Sequence, residues 1–227
     1  MSTQTSSASS RSRTLSRPLL NELYDWWLQG VPTAHDQPVG METFKRWFTS
    51  DAELDGLCRE KYASAVKEAE GLSPEEVGRI VQTPEEAVGA VLLLDQIPRN
   101  IFRGTEAAKV YELYDPKGVH LAKYYLVDKD YSRRDAFPHF ARSMWLYMPL
   151  MHSENISDHD LFASLLEKRS AEVQTEAERA ALDNISSFEG KHRAVLEKYG
   201  RYPSRNEALG RKSTAEEIEL LKDGPGW

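Results

Sequence analysis

The chain of 227 residues has one cysteine, Cys58. No intramolecular disulfide can form, and a cysteine metal site has no ligand set. A reducing compartment is the simplest setting. No apolar run reaches the roughly 18 to 20 residues that a membrane-spanning helix needs. Positive charge is in deficit, with 29 Lys and Arg against 36 Asp and Glu and a net charge of −7. That balance argues against general nucleic-acid binding. No segment alternates apolar and polar residues between Gly or Asn-Gly turns, so no sheet is expected. A Gly-rich phosphate loop, a Ser nucleophile elbow and a His-x-x-x-His pair are all missing, so no cofactor and no metal is expected. Asn155-Ile156-Ser157 fits the glycosylation pattern, but without a secretory signal it reads as incidental.

What is present reads as helix. A hydrophobic content of 40% with 29% charged residues can build a core, and the length suits one large domain. Residues 1–17 are Ser-, Thr- and Arg-rich and read as a disordered tail. The single all-helical domain is placed at 18–227. The chain is expected to be cytoplasmic, with a mitochondrial leader as the alternative, because the tail is basic and lacks acids. Leu19, Leu20, Leu23, Trp26 and Trp27 recur at helical spacing. Ser73-Pro74-Glu75-Glu76 and Thr83-Pro84-Glu85-Glu86 read as capping boxes with proline in the first turn, and Ser213 to Glu217 gives a third start. Asp51 reads as an N-cap. Helices joined by short loops imply an all-α antiparallel array.

The organising stretch is Asp95 to Thr105, directly after the apolar run Ala87 to Leu94. Pro98 is expected to end that helix and leave Asp95 in its last turn. The helix dipole opposes a carboxylate there, and Arg99 and Arg103 would offset the cost. Three further polar clusters stand out: Met151 to Asn155, Lys191 to Arg193, and Gly200 to Asn206 followed by Gly210-Arg211. Three of the four lie just past a helix end, so they can share one face of an array. Arg99, Arg103, Arg201 and Arg205 could fork around a carboxylate or phosphate, with Gln96, Asn100, His192 and Asn206 as further binding candidates. His152 is the proton-transfer candidate, with Glu154 and Asp95 as its catalytic partners. The bland reading pairs the arginines with Asp95 and Glu154 in buried ion pairs that lock the fold. Asp115-Pro116-Lys117-Gly118 reads as a helix break.

At these clusters the chain resembles a family of bacterial, plant and fungal proteins catalogued as domain of unknown function 924. The resemblance rests on Leu93 to Thr105, Leu146 to Glu154, His192-Arg193, Tyr199 to Asn206, Leu209 to Arg211, Ser213 to Ile218, and on Trp47-Phe48 with Asp51. It implies a tetratricopeptide-like superhelix and no established activity. The chain departs at Ser204, where the family often carries His, and at Met151, often an acid.

Two functions follow. One is an enzyme or small-molecule binder with a pocket between helix ends, suited to an anionic or amino-acid-like substrate, as in secondary-metabolite biosynthesis. The other is a scaffold whose concave surface binds a peptide or protein partner, which calls for exposed apolar residues along a groove.

Overall fold

The structure, a computed structural model, describes residues 14–49 and 51–224. It is all-α: ten α-helices and no strand among the described residues. Residues 1–13 of the stretch read as a tail lie outside the described residues. Residues 14–17 join the fold. Leu15 is buried, its backbone N–H donates to Glu68 Oε2 at 2.7 Å, and Arg17 opens α1 (Arg17–Trp27).

The core is built around α5 (Pro84–Ile101). Residues Ala87, Val88, Ala90 to Leu94 and Ile97 are wholly buried. A helix apolar on every face has to be covered on every face. The cover comes from α1, from α3 (Ala52–Glu70), from α6 (Asp115–Lys123) and from α7 (Phe140–His152). Close approach of α1 depends on Gly89, whose missing Cβ would lie 2.3 Å from the Leu20 carbonyl oxygen. The local start signals operate as read. Thr83 and Ser73 close capping boxes with Glu86 and Glu76, Thr214 does so with Glu217, and Asp51 accepts from the Glu53 N–H.

Two prolines lie inside helices, the first against expectation, and for one reason. Pro98 does not end α5, which runs on to Ile101, and Pro149 lies inside α7, which runs on to His152. A proline inside a helix costs about 3 kcal/mol or more. Here Ile97, Ile101, Leu150 and Met151 on either side of the prolines are all buried, and that burial outweighs the penalty. Asp95 is therefore interior to its helix, and His152 is carried to the last position of its own. The expected break at Asp115 is also absent. Asp115 begins the α-helical register and Pro116 follows it at the change from π- to α-helical turns. A π-helical turn, Val110–Tyr114, leads into it without interruption.

The remainder comprises the short α2 (Met41–Phe48) and α4 (Pro74–Gly78) and, after α7, α8 (Ile156–Ala171), α9 (Glu176–Tyr199), a strap over residues 200–214 and α10 (Ala215–Asp223). Gly200, at φ +69°, lets α9 stop and the chain turn back. No described helix is long and apolar enough to cross a membrane.

Candidate functional site

The π-helical turn Val110–Tyr114, the N-terminal half of α6, the C-terminal end of α7 with the first turn of the following helix, and the strap line one cleft of about 490 Å³, and α5 lies behind it. Asp95, wholly buried, is its foundation. One carboxylate oxygen lies 2.7 Å from His152 Nδ1 and 3.2 Å from Arg99 Nη2; the other accepts from Gln96 Nε2 at 2.6 Å. Arg99 Nη2 also donates to Asp115 Oδ1 at 2.6 Å. The second Asp115 oxygen lies 3.4 Å from Arg205 Nη1. Arg205 in turn donates to the His152 carbonyl at 2.7 Å, and its guanidinium is held over the rings of Tyr111 and Tyr202, 4.6 and 4.7 Å from the centroids. At the rim Glu154 receives Arg211 bidentately at 2.8 and 2.7 Å and the Tyr202 N–H at 2.8 Å.

The electrostatics follow from burial. Desolvation and the Arg99 cation hold the His152 imidazole below its ordinary value, against the opposing pull of Asp95. Burial alone would raise the Asp95 carboxyl. His152, Arg99 and the Gln96 donor outweigh it, so Asp95 stays ionised well below the usual carboxylate range. At neutral pH the pair is thus a carboxylate accepting from Nδ1–H of a neutral imidazole. Nε2 then carries the free lone pair. His152 lines the cleft, and its Nε2 makes no hydrogen bond to a described residue.

A second buried pair lies behind the first. His159 Nδ1 is 2.6 Å from Glu189 Oε1, and its Nε2 is 2.9 Å from the Ser153 carbonyl and 3.3 Å from the Tyr202 hydroxyl. That hydroxyl spends its own proton on the Met151 carbonyl at 2.7 Å. Every neighbour of the ring is therefore an acceptor. Burial alone would lower the His159 imidazole. The Glu189 carboxylate and the Ser153 carbonyl overcome that, and it is raised.

Several sequence candidates go elsewhere. Arg103 faces away from the cleft and forks Asp55 of α3 at 2.6 and 2.6 Å, because α5 continues past Pro98 and turns it outward. Arg201 forks Glu217, which also receives the Thr214 N–H, while Asn206 donates to Ser213; these groups tie the strap to α10. Asn100 caps the Gln96 carbonyl at 3.0 Å. His192 lies behind Tyr202, edge-on at 5.8 Å, and donates to the Phe188 carbonyl. The partners read for Glu154 were among Arg99, Arg103, Arg201 and Arg205, and in the structure its partner is Arg211. Sequence reasoning missed Asp115, Tyr111 and Glu112. The signal for Asp115 was its place before Pro116, which marks a helix start as readily as a break.

His192 gives a pH prediction. Burial and the neighbouring charges of His152, His159 and Arg205, against the Phe188 carbonyl, hold its imidazole down to about 3. A depressed folded value means the unfolded chain takes up the proton first, so stability is lost as pH falls from about 6.5 toward 3. His192→Phe keeps the ring against Tyr202 and removes this titration. Denaturant titrations at pH 7 and pH 4.5 are expected to show wild type losing about 2 kcal/mol more than the variant. Equal losses would contradict the buried, neutral assignment.

A family described as bacterial protein of unknown function (DUF924) matches residues 23–225. A solved structure of a protein of unknown function from Agrobacterium tumefaciens is similar over 91% of this chain and 98% of that one, at 25% identity and a TM-score of 0.64. No curated protein matches the chain.

Proposed function

The chain belongs to the DUF924 family, and from that premise we propose that its cleft binds a small charged molecule and that His152 moves a proton to or from it. The observation that carries this reading is the asymmetry of His152: Nδ1 fixed on a wholly buried carboxylate, Nε2 without a hydrogen-bond partner among the described residues beside the cleft. An orienting carboxylate selects one tautomer and holds the ring, as a general base requires. Asp95 takes that role, Arg99 and Gln96 hold Asp95, and Glu154 fixes the strap through Arg211 and the Tyr202 backbone. General acid-base catalysis of this kind contributes on the order of 10² to 10⁴ in rate.

The scaffold reading asks for an apolar groove. The large exposed apolar residues among those described, such as Met41, Phe48, Val127 and Phe188, do not line the cleft. This supports the small-molecule reading over the peptide-binding one.

The test is native mass spectrometry of the purified protein, with metabolite identification on the released fraction, for wild type, His152→Gln and Arg99→Lys. Wild type is expected to carry or capture a small molecule that His152→Gln retains at least tenfold less, while both variants still melt cooperatively. An unaltered complement in both variants would sink the reading.

A further inference from the structure

The charge balance of the cleft narrows the class of molecule, on the reading that the cleft is a binding site. Each carboxylate of the wall and its support has a cation, with one exception. Asp95 and Asp115 share Arg99, and Asp115 also faces Arg205. Glu154 holds Arg211, and Asp158 is met by Lys123 at 2.5 Å and by the Ser153 hydroxyl at 2.6 Å. Glu112 is the exception. It lines the cleft from the π-helical turn Val110–Tyr114, is exposed, and makes no hydrogen bond or ion pair with a described residue.

The arginines that suggested an anionic substrate are thus already committed. An incoming phosphate or dicarboxylate would have to share Arg205 or Arg211 with the carboxylate that already faces it, which sets two like charges around one guanidinium. It would also meet the charge of Glu112, which Arg211 attracts from a distance but which makes no ion pair with a described residue. An ammonium group meets the opposite situation, an unpaired carboxylate whose charge-assisted hydrogen bond displaces nothing. The neutral His152 Nε2 offers an acceptor on the same wall, whereas an anion would find a lone pair there.

We propose that this cleft takes a small molecule bearing a primary ammonium group, and that Glu112 is the residue that selects it. Tyr111, next in sequence and held against Arg205 at 4.6 Å, anchors the turn that presents Glu112.

The experiment compares two probe sets, putrescine and L-ornithine against succinate and glutarate, by titration into the full-length protein. The readouts are the apparent Kd and the side-chain NMR signals of His152, assigned by difference from His152→Gln. The amines are expected to bind and move the His152 signals, with Glu112→Gln weakening them on the order of tenfold. Glu112 is exposed, so this variant is expected to fold as wild type does. Amine binding that Glu112→Gln leaves unchanged overturns the assignment to Glu112. Dicarboxylates that bind, move His152 and tighten in Glu112→Gln overturn the ammonium class while leaving the cleft standing as a site. If neither set moves His152, the inference falls together with the reading beneath it.

Discussion

Asp115→Ala is expected to destabilise the protein by about 3 to 5 kcal/mol, the cost of removing one member of a buried ion pair. The Asp115 carboxylate is 5% exposed as a residue and bridges two guanidiniums, at 2.6 Å to Arg99 and 3.4 Å to Arg205. Arg99 keeps Asp95, and Arg205 keeps the His152 carbonyl and its two tyrosine rings. Arg205 is then left with no carboxylate partner among the described residues, Arg99 with one in place of two, and both are desolvated. For a chain of this size the loss corresponds to a fall in Tm of roughly 10 °C. Asp115→Asn keeps the shape and one acceptor and should cost less than the alanine. The comparison is made by thermal and denaturant unfolding. A cost below about 1 kcal/mol for Asp115→Ala would mean that the polar centre contributes little to the fold.

Gly89→Ala is the second large effect, and two opposing terms decide its sign. Within a helix, Gly to Ala is favourable by about 1 kcal/mol. At Gly89, however, the added Cβ would lie 2.3 Å from the Leu20 carbonyl oxygen, 2.9 Å from its carbonyl carbon and 3.1 Å from its Cα. These are backbone atoms of α1, so no side-chain rotation relieves the overlap and α1 has to move off the core as a unit. Overpacking of this severity costs at the upper end of, or beyond, the usual 1 to 3 kcal/mol. The net expectation is a loss of about 2 kcal/mol or more. Gly190 provides the control. It lies mid-way in α9 with nothing within 4 Å of an added Cβ, so Gly190→Ala should stabilise by up to about 1 kcal/mol. Opposite signs in urea titrations establish the contact; a stabilising Gly89→Ala would refute it.

The helical fold was legible in the sequence because its signals are local. A capping box is written in four consecutive residues, and Ser73, Thr83 and Thr214 each close one as read. The apolar run after Thr83 announced a buried helix, and α5 is that helix. His152, Glu154 and Arg205 of the cleft, and Asp95 and Arg99 that support it from behind, were all among the candidates. What went unread was their partners. Four arginines of similar appearance divide between the cleft and other tasks: Arg99 and Arg205 converge on Asp115, Arg103 turns to Asp55, and Arg201 is held by Glu217.

The sequence by itself determined where the helices begin, that they bury their apolar faces in an all-α array, and which loops carry polar groups. The tertiary structure alone decided that Pro98 and Pro149 lie inside helices, that Asp115 joins the cleft, and that Glu112 makes no ion pair with a described residue. The physical reason is range. Helix starts are set by bonds between residues three apart, whereas His152 meets Asp95 across 57 positions and Arg211 meets Glu154 across 57. Such pairs form only where packing of the helices brings them, and burial around α5 outweighs the proline penalty that local rules would have enforced.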